Sequence, residues 1–220
     1  MTQTAGPGPD KGSCAGALTQ PAREVHLAVL AAFVQTGQAP SRGELERIAR
    51  AGGASPAAVL AELAERDLLA FDADGEIRAA YPFSPVPTPI QVRWAGGPVT
   101  YAMCAIDALG ISAMLGRPVT ITATEPGTGL LITVEADGNR ARWKPVRAVV
   151  FAGDTGDDCG PSVDRSCGYI NFFTSARAAR KWADNNPGIS GRVLRQAGAL
   201  GQGVAEFGAF LRTRAATTQP

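Results

Sequence analysis

Nine residues near the middle of the chain, Tyr81-Pro82-Phe83-Ser84-Pro85-Val86-Pro87-Thr88-Pro89, include four prolines. Each proline fixes φ and lacks the amide donor that helix interiors and central strands need, so the run reads as a stiff connector over residues 81–89. The apolar pattern differs on its two sides. Before it, Val25, Leu27, Ala28, Leu30, Ala31, Phe33 and Val34 recur at helical spacing until Gly37 and Pro40. Ser41-Arg42-Gly43-Glu44 is a capping-box pattern, which predicts a short helix to about Ala51. Ser55-Pro56 repeats the start signal ahead of Val59, Leu60, Leu63 and Leu68. Leu69-Ala70-Phe71 and Glu76-Ile77-Arg78 flank Asp72-Ala73-Asp74-Gly75, a turn suited to an antiparallel hairpin. Three helices and a hairpin over residues 21–80 make a winged-helix-like module.

From Ile90 onward the pattern changes to short strands, predicted at Ile90–Trp94, Val119–Ala123, Leu130–Val134 and Arg147–Phe151. Helices are predicted at Ala102–Leu115, Ala176–Asn185 and Gly201–Thr213. The expected fold class is therefore α+β, with residues 90–215 forming a mixed domain around a small, largely antiparallel sheet. Residues 1–20, Gly/Pro-rich at their start, are expected to be a disordered arm.

The chain's balance excludes several classes of function. Of 220 residues, 45% are hydrophobic and 19% charged, and the formal net charge is +1. No global cationic field favours nucleic acid or membrane surfaces. The candidate recognition helix sets Glu62 and Glu65 against a single Arg66, which makes it a poor phosphate reader, so DNA is not an expected partner. The start lacks a basic residue leading into an apolar run, and no uncharged apolar stretch approaches roughly 20 residues. A soluble, cytoplasmic protein with reduced thiols is expected. Neither GxGxxG after a strand nor GxxxxGK[ST] occurs, so nucleotide cofactors have no support.

Four cysteines, Cys14, Cys104, Cys159 and Cys167, are then read one by one. Tyr101-Ala102-Met103-Cys104-Ala105-Ile106-Asp107-Ala108-Leu109 is an apolar segment interrupted by one thiol and one carboxylate. At i and i+3 on a helix the two share a face, and apolar company raises a carboxyl pKa toward the range of a general acid. The competing reading is a buried cysteine beside an ordinary solvated aspartate. Cys167 precedes a strand-like aromatic run, Tyr169-Ile170-Asn171-Phe172-Phe173, and Gly168 after it permits close backbone approach or a positive φ. Cys167 is either a ligand or nucleophile at a strand's lip or a small buried apolar residue. Cys159 sits in an acidic loop that disfavours a thiolate, and Cys14 lies in the arm as an exposed thiol. The lone His26, in the first helix, leaves no Cys–His hydrolase or zinc pattern.

These two cysteine segments, in this order, resemble the alkylmercury (organomercurial) lyase family. In that family a Tyr-Ala-x-Cys-Ala-x-Asp segment supplies a thiol and an acid, and a later cysteine before a Phe-Phe pair supplies a second thiol. Here those are Tyr101 to Asp107 and Cys167 with Phe172-Phe173. Leu115-Gly116-Arg117, the Ala176–Ala183 segment with Trp182, and Leu200-Gly201-Gln202 also resemble family features, and the likeness runs over roughly residues 22–213. Met103 replaces an aromatic residue, and Gly168 stands where some members carry a second adjacent cysteine.

The resemblance implies that Cys104, Asp107 and Cys167 are catalytic and that the two thiolates bind mercury, a soft ion suited to sulfur. Cys104 would bind R–Hg⁺ and pass its proton to Asp107, Cys167 would add as second thiolate, and Asp107 would protonate the leaving carbon. A hydrocarbon and bound Hg(II) result, with no organic cofactor. Cytosolic thiols, or a reductase that accepts mercuric ion, would remove the product. Two other readings compete: a thiol-based soft-metal sensor that uses the winged helix on DNA, and a member of the same fold that binds metal or organometal without cleaving it.

Overall fold

The computed structural model describes residues 11–155 and 161–211. Cys159, residues 1–10 of the expected arm and the end of the chain from 212 lie outside that description. The arm expected to be disordered through residue 20 instead contains helix α1, Lys11–Gly16, with Lys11 itself buried.

Three helices follow: α2 (Gln20–Thr36), α3 (Arg42–Ala51) and α4 (Pro56–Glu65). Gly37 ends α2 in the left-handed conformation at φ 74°. Ser41 and Glu44 exchange side-chain-to-backbone hydrogen bonds at the start of α3, completing the predicted capping box. Strands β1 (Leu69–Phe71) and β2 (Ile77–Ala80) form the predicted antiparallel hairpin.

The proline-rich run does not separate two bodies. Within it Phe83–Ser84 form strand β3, which pairs with β2 on one side and with β5 (Thr100–Ala102) on the other. Proline is tolerated here because β3 is only two residues long and its paired residues, Phe83 and Ser84, keep their amides. With β4 (Ile90–Arg93), β6 (Val119–Thr124), β7 (Leu131–Asp137) and β8 (Arg140–Lys144), one antiparallel sheet of eight strands runs β1-β2-β3-β5-β4-β6-β7-β8. The sheet is larger than expected because it absorbs the hairpin. A continuous core reaches from Val25, Phe33 and Leu63 to Leu109, Ile121 and Val134.

Helix α5 (Ala105–Leu115) organises that core. It is apolar around nearly its whole circumference, and every residue from Ala105 to Met114 is buried. One side lies on β4–β7, where Val119, Ile121 and Ala123 alternate with threonines and face Ala136, Val134 and Ile132 across the ladder. The other side packs on α8 (Gln196–Phe207), which starts five residues before the helix predicted there. Gly110 and Gly203 allow this approach: a Cβ on Gly203 would stand 2.6 Å from the Ile106 carbonyl oxygen and 2.8 Å from the Gly110 amide.

A second antiparallel sheet, β10-β9-β11, comprises β9 (Val149–Asp154), β10 (Ile170–Phe173) and β11 (Ser190–Leu194). Helix α7 (Ala176–Asp184) covers it, with Trp182 against Phe151 and Phe173. The short helix α6 (Ser162–Arg165) and a 3-10 turn, Cys167–Tyr169, lead into β10. Glu125, buried after β6, accepts hydrogen bonds from the Thr174 amide (2.6 Å) and hydroxyl (2.7 Å), which ties the end of β10 to the large sheet.

Candidate active site

Helix α5 begins at Ala105, three residues later than predicted, because strand β5 runs through Ala102 and Cys104 is the helix's N-cap. The Cys104 backbone is extended (φ −153°, ψ 177°), and its Sγ accepts the Asp107 amide at 3.4 Å. A thiol thus occupies the position where Ser or Asp would satisfy a free first-turn amide. Cys104 and Asp107 are brought together as the spacing predicts, although through a cap rather than as neighbours on one helical face.

All three candidate side chains are sealed. Cys104 is 2% exposed, Asp107 4% and Cys167 5%. Burial in this apolar site is the main reason that the Asp107 carboxyl is pushed up from 3.8 to about 8; the nearby Glu206 carboxylate adds to the rise, while Lys11 and a hydrogen bond with Cys104 oppose it. Asp107 Oδ2 has no hydrogen-bond partner. The solvated aspartate of the competing reading is therefore excluded. At neutral pH the group carries its proton, and its unpartnered oxygen faces the interior. Burial also pushes the Cys104 thiol well above its ordinary range, reinforced by a hydrogen bond with Cys167 and by the charge of Asp107. That contact joins the second cysteine to the first.

Cys167 reaches the site from the 3-10 turn ahead of β10. Gly168 is exposed, lacks a left-handed φ, and a Cβ there would meet nothing within 4 Å. The backbone reasons expected for that glycine are absent, and the turn has room for a side chain. Met103 is half-buried against the core, and its amide donates to the Pro82 carbonyl at 3.1 Å, which fixes Tyr81-Pro82 beside the Cys104 cap.

Three residues that sequence reasoning passed over complete the surroundings. Tyr81, at the start of the proline run, is fully buried, and Lys11 Nζ lies 3.9 Å from its ring centroid. Asp67, just past α4, takes a left-handed conformation (φ 52°), rare for a residue other than glycine. Its carbonyl accepts Lys11 Nζ at 2.6 Å and its carboxylate pairs with the same ammonium. That carboxylate also accepts the Ser162 amide (3.1 Å) and hydroxyl. Asp67 thereby clasps α1 and α6 together, and the Arg78–Asp164 ion pair, 2.8 Å from Nη1 to Oδ1, anchors α6 to β2. The only sequence signal for Asp67 was the break after α4. Lys11 and Tyr81 carried none.

The candidate recognition helix is also engaged internally. Glu62 on α4 accepts the Thr19 amide (2.8 Å) and hydroxyl (2.6 Å) and pairs with Arg66 at 3.5 Å.

Residues 83–208, which include all three candidate catalytic side chains, match the family model described as alkylmercury lyase. The chain belongs to the alkylmercury lyase family. An alkylmercury lyase of Bacillus cereus is 34% identical over 137 residues, covering 61% of this chain and 58% of the relative. One from Streptomyces lividans is 29% identical over 165 residues, 74% of each chain. The chain thus spans about three-fifths of the length of the first of these curated relatives. The crystal structure of the mercury-bound form of MerB2 superposes with a TM-score of 0.72 at 25% identity, covering 91% of this chain and 96% of that one. That likeness agrees with the α+β class. No helix among the described residues is long and apolar enough to cross a membrane.

Proposed function

We propose that this family member is an organomercurial lyase that cleaves the carbon–mercury bond of alkyl- and arylmercury compounds by protonolysis. The observation that carries the reading is a buried carboxyl, whose pKa burial raises to about 8, held at the same helix start as one thiol that contacts another.

Cys104 captures the organomercurial by exchange, displacing the thiolate on which the substrate arrives, and its proton leaves on that thiol. Cys167 adds as a second sulfur ligand to the soft metal. Electron donation from two sulfur ligands weakens the carbon–mercury bond. Asp107 delivers its proton to the carbon as the bond breaks and in the same step takes up the proton that the Cys167 thiol releases as its sulfur bonds mercury. This differs from the sequence expectation in one step. Asp107 starts protonated, so the proton it replaces comes from the second thiol rather than the first. Water exclusion around Asp107 keeps the proton on its carboxyl until the bond breaks and leaves carbon as the available base.

Two exogenous thiols then exchange Hg(II) away and return both cysteines to their protonated forms. The reaction needs no organic cofactor. The cytoplasm, rich in small thiols, is the fitting compartment, and a reductase that accepts mercuric ion is the fitting consumer of the product. The test is direct: purified protein incubated with phenylmercury and excess thiol should release benzene over many turnovers. Stoichiometric binding of the mercurial without benzene would overturn the reading in favour of a binding-only member of the fold.

A further inference from the structure

Tyr81 is the largest fully buried side chain of the core, yet its hydroxyl makes no well-formed hydrogen bond and has the Cys167 thiol as its hydrogen-bonding neighbour. An unsatisfied buried hydroxyl costs on the order of 1–3 kcal/mol, and such groups in a well-packed core call for a reason. Phenylalanine would fill the same space without that cost. The hydroxyl's surroundings supply the reason. Its backbone is pinned from both sides, the Tyr81 amide donating to Leu68 at 3.2 Å and the next residue's carbonyl accepting the Met103 amide at 3.1 Å, one residue before Cys104. Burial is the main influence on the phenol, and among the polar side chains that act on it Cys167 comes first, ahead of Asp67 and Asp107. The Lys11 ammonium rests on its ring face, which draws electron density from the phenol and makes it a better donor.

We propose that Tyr81 is a further functional residue of this site, whose phenol donates a hydrogen bond to the Cys167 sulfur once that sulfur becomes a mercury-bound thiolate. In the protein free of substrate the phenol meets the Cys167 thiol, whose sulfur is a weak acceptor, so the contact contributes little. When Asp107 gives its proton to carbon and takes the one from Cys167, the mercury-bound Cys167 becomes a negatively polarised sulfur in a site closed to water. A fixed donor there stabilises charge that exists only late in the reaction, which is the condition for lowering a barrier rather than tightening initial binding. No atom is transferred to or from Tyr81; its proton stays on oxygen. The proposal rests on the lyase reading above and assigns the second thiolate its hydrogen-bond donor.

The decisive comparison is Tyr81→Phe against wild type in a single turnover with phenylmercury, following loss of the Cys104 thiol and release of benzene separately. Wild type must first produce benzene; if it does not, the lyase reading fails before Tyr81 is tested. The variant should capture phenylmercury at the wild-type rate and release benzene about 10- to 100-fold more slowly, the range expected for one hydrogen bond to a charged group. Replacing Tyr81 with 3-fluorotyrosine, which keeps the shape and donates more strongly, should restore benzene release to at least the wild-type rate. Benzene release within twofold of wild type in Tyr81→Phe would overturn the proposal. So would equal slowing of capture and release, which marks a packing defect, or a fluorotyrosine protein as slow as the phenylalanine variant.

Discussion

Replacing Asp107 with Asn should make the protein more stable at high pH while abolishing its chemistry. The folded state holds the Asp107 proton up to about pH 8, whereas an unfolded aspartate releases it near 3.8. Because this folded-state pKa is raised, its contribution to stability is fully present below 3.8 and is lost as pH climbs toward 8. Each pH unit within that window removes up to about 1.4 kcal/mol, an upper limit near 4 kcal/mol between pH 5 and 8. Relaxation and water entry around a buried charge lessen this, so a loss of about 2–4 kcal/mol is the expectation. Asn keeps the size of the side chain and cannot ionise, and the Cys104 cap survives because its donor is the backbone amide of residue 107. Any cost of the amide hydrogens applies at every pH and cancels from the pH dependence. The assay is urea unfolding of both proteins at pH 5, 6.5 and 8. The stability of Asp107→Asn relative to wild type should rise by about 2–4 kcal/mol across the series, while phenylmercury is still captured and no benzene appears. Wild-type benzene release should decline above about pH 8 as the acid loses its proton. A stability difference that does not change with pH would refute the assignment, since Asp107 would then titrate as an ordinary aspartate and could not be the proton donor.

Cys104→Ser and Cys167→Ser should each reduce benzene release by at least about 100-fold, because a hydroxyl is a poor ligand for a soft ion; gas chromatography of the headspace decides, and full activity in either variant would remove that thiol from the mechanism. His26 is buried and its pKa is lowered from 6.5 to about 4, chiefly by desolvation with Arg23 adding to it. The unfolded chain therefore binds a proton that the folded one refuses, and stability should fall by about 2–3 kcal/mol as pH drops from 6.5 to 4; His26→Leu should flatten that part of a thermal-unfolding pH profile relative to wild type. Gly203→Ala places a methyl 2.6 Å from a carbonyl oxygen of α5, and separating the two helices should cost about 1–3 kcal/mol despite alanine's better helix propensity, measured as a lower unfolding midpoint. Asp67→Asn tolerates the same left-handed backbone but loses the charge that holds Lys11, so amide exchange should quicken selectively in residues 11–16 and 162–167.

What could be read in advance was whatever depends on nearest neighbours in sequence. The capping box at Ser41, the hairpin at Gly75 and the thiol and acid three residues apart are all local, and each is present. The proline run shows the limit. Its composition describes a connector, but Phe83 and Ser84 retain amides that pair across to β2 and β5, and strand pairing between distant segments leaves no local trace. Cys167 was joined to Cys104 only through family resemblance, since 63 positions separate them and no spacing rule spans that gap. Lys11, Asp67, Tyr81 and Glu206 escaped notice for the same reason: each acts on the site through a fold that had first to exist.

The burial that makes Asp107 an acid also closes the site to its reactants. In the proposed reaction a mercurial, and the thiols that remove the metal, must reach cysteines that are 2% and 5% exposed. Helix α5 cannot yield, because it is packed on both the sheet and α8 and buried along ten residues. Helices α1 and α6, six and four residues long, are too short to be stable by themselves and depend on what holds them. Asp67 holds both, through one ammonium and one serine, beside a surface groove of about 500 Å³ lined in part by Asp67, Arg78 and Pro161. Local opening costs least where few buried contacts and polar ties hold short elements, and that description fits the clasp rather than the catalytic helix. The arrangement suits two opposed demands, since thiol exchange needs an open site and proton transfer to carbon a dry one: the short helices tied by Asp67 open at less cost than the helix that starts at Cys104.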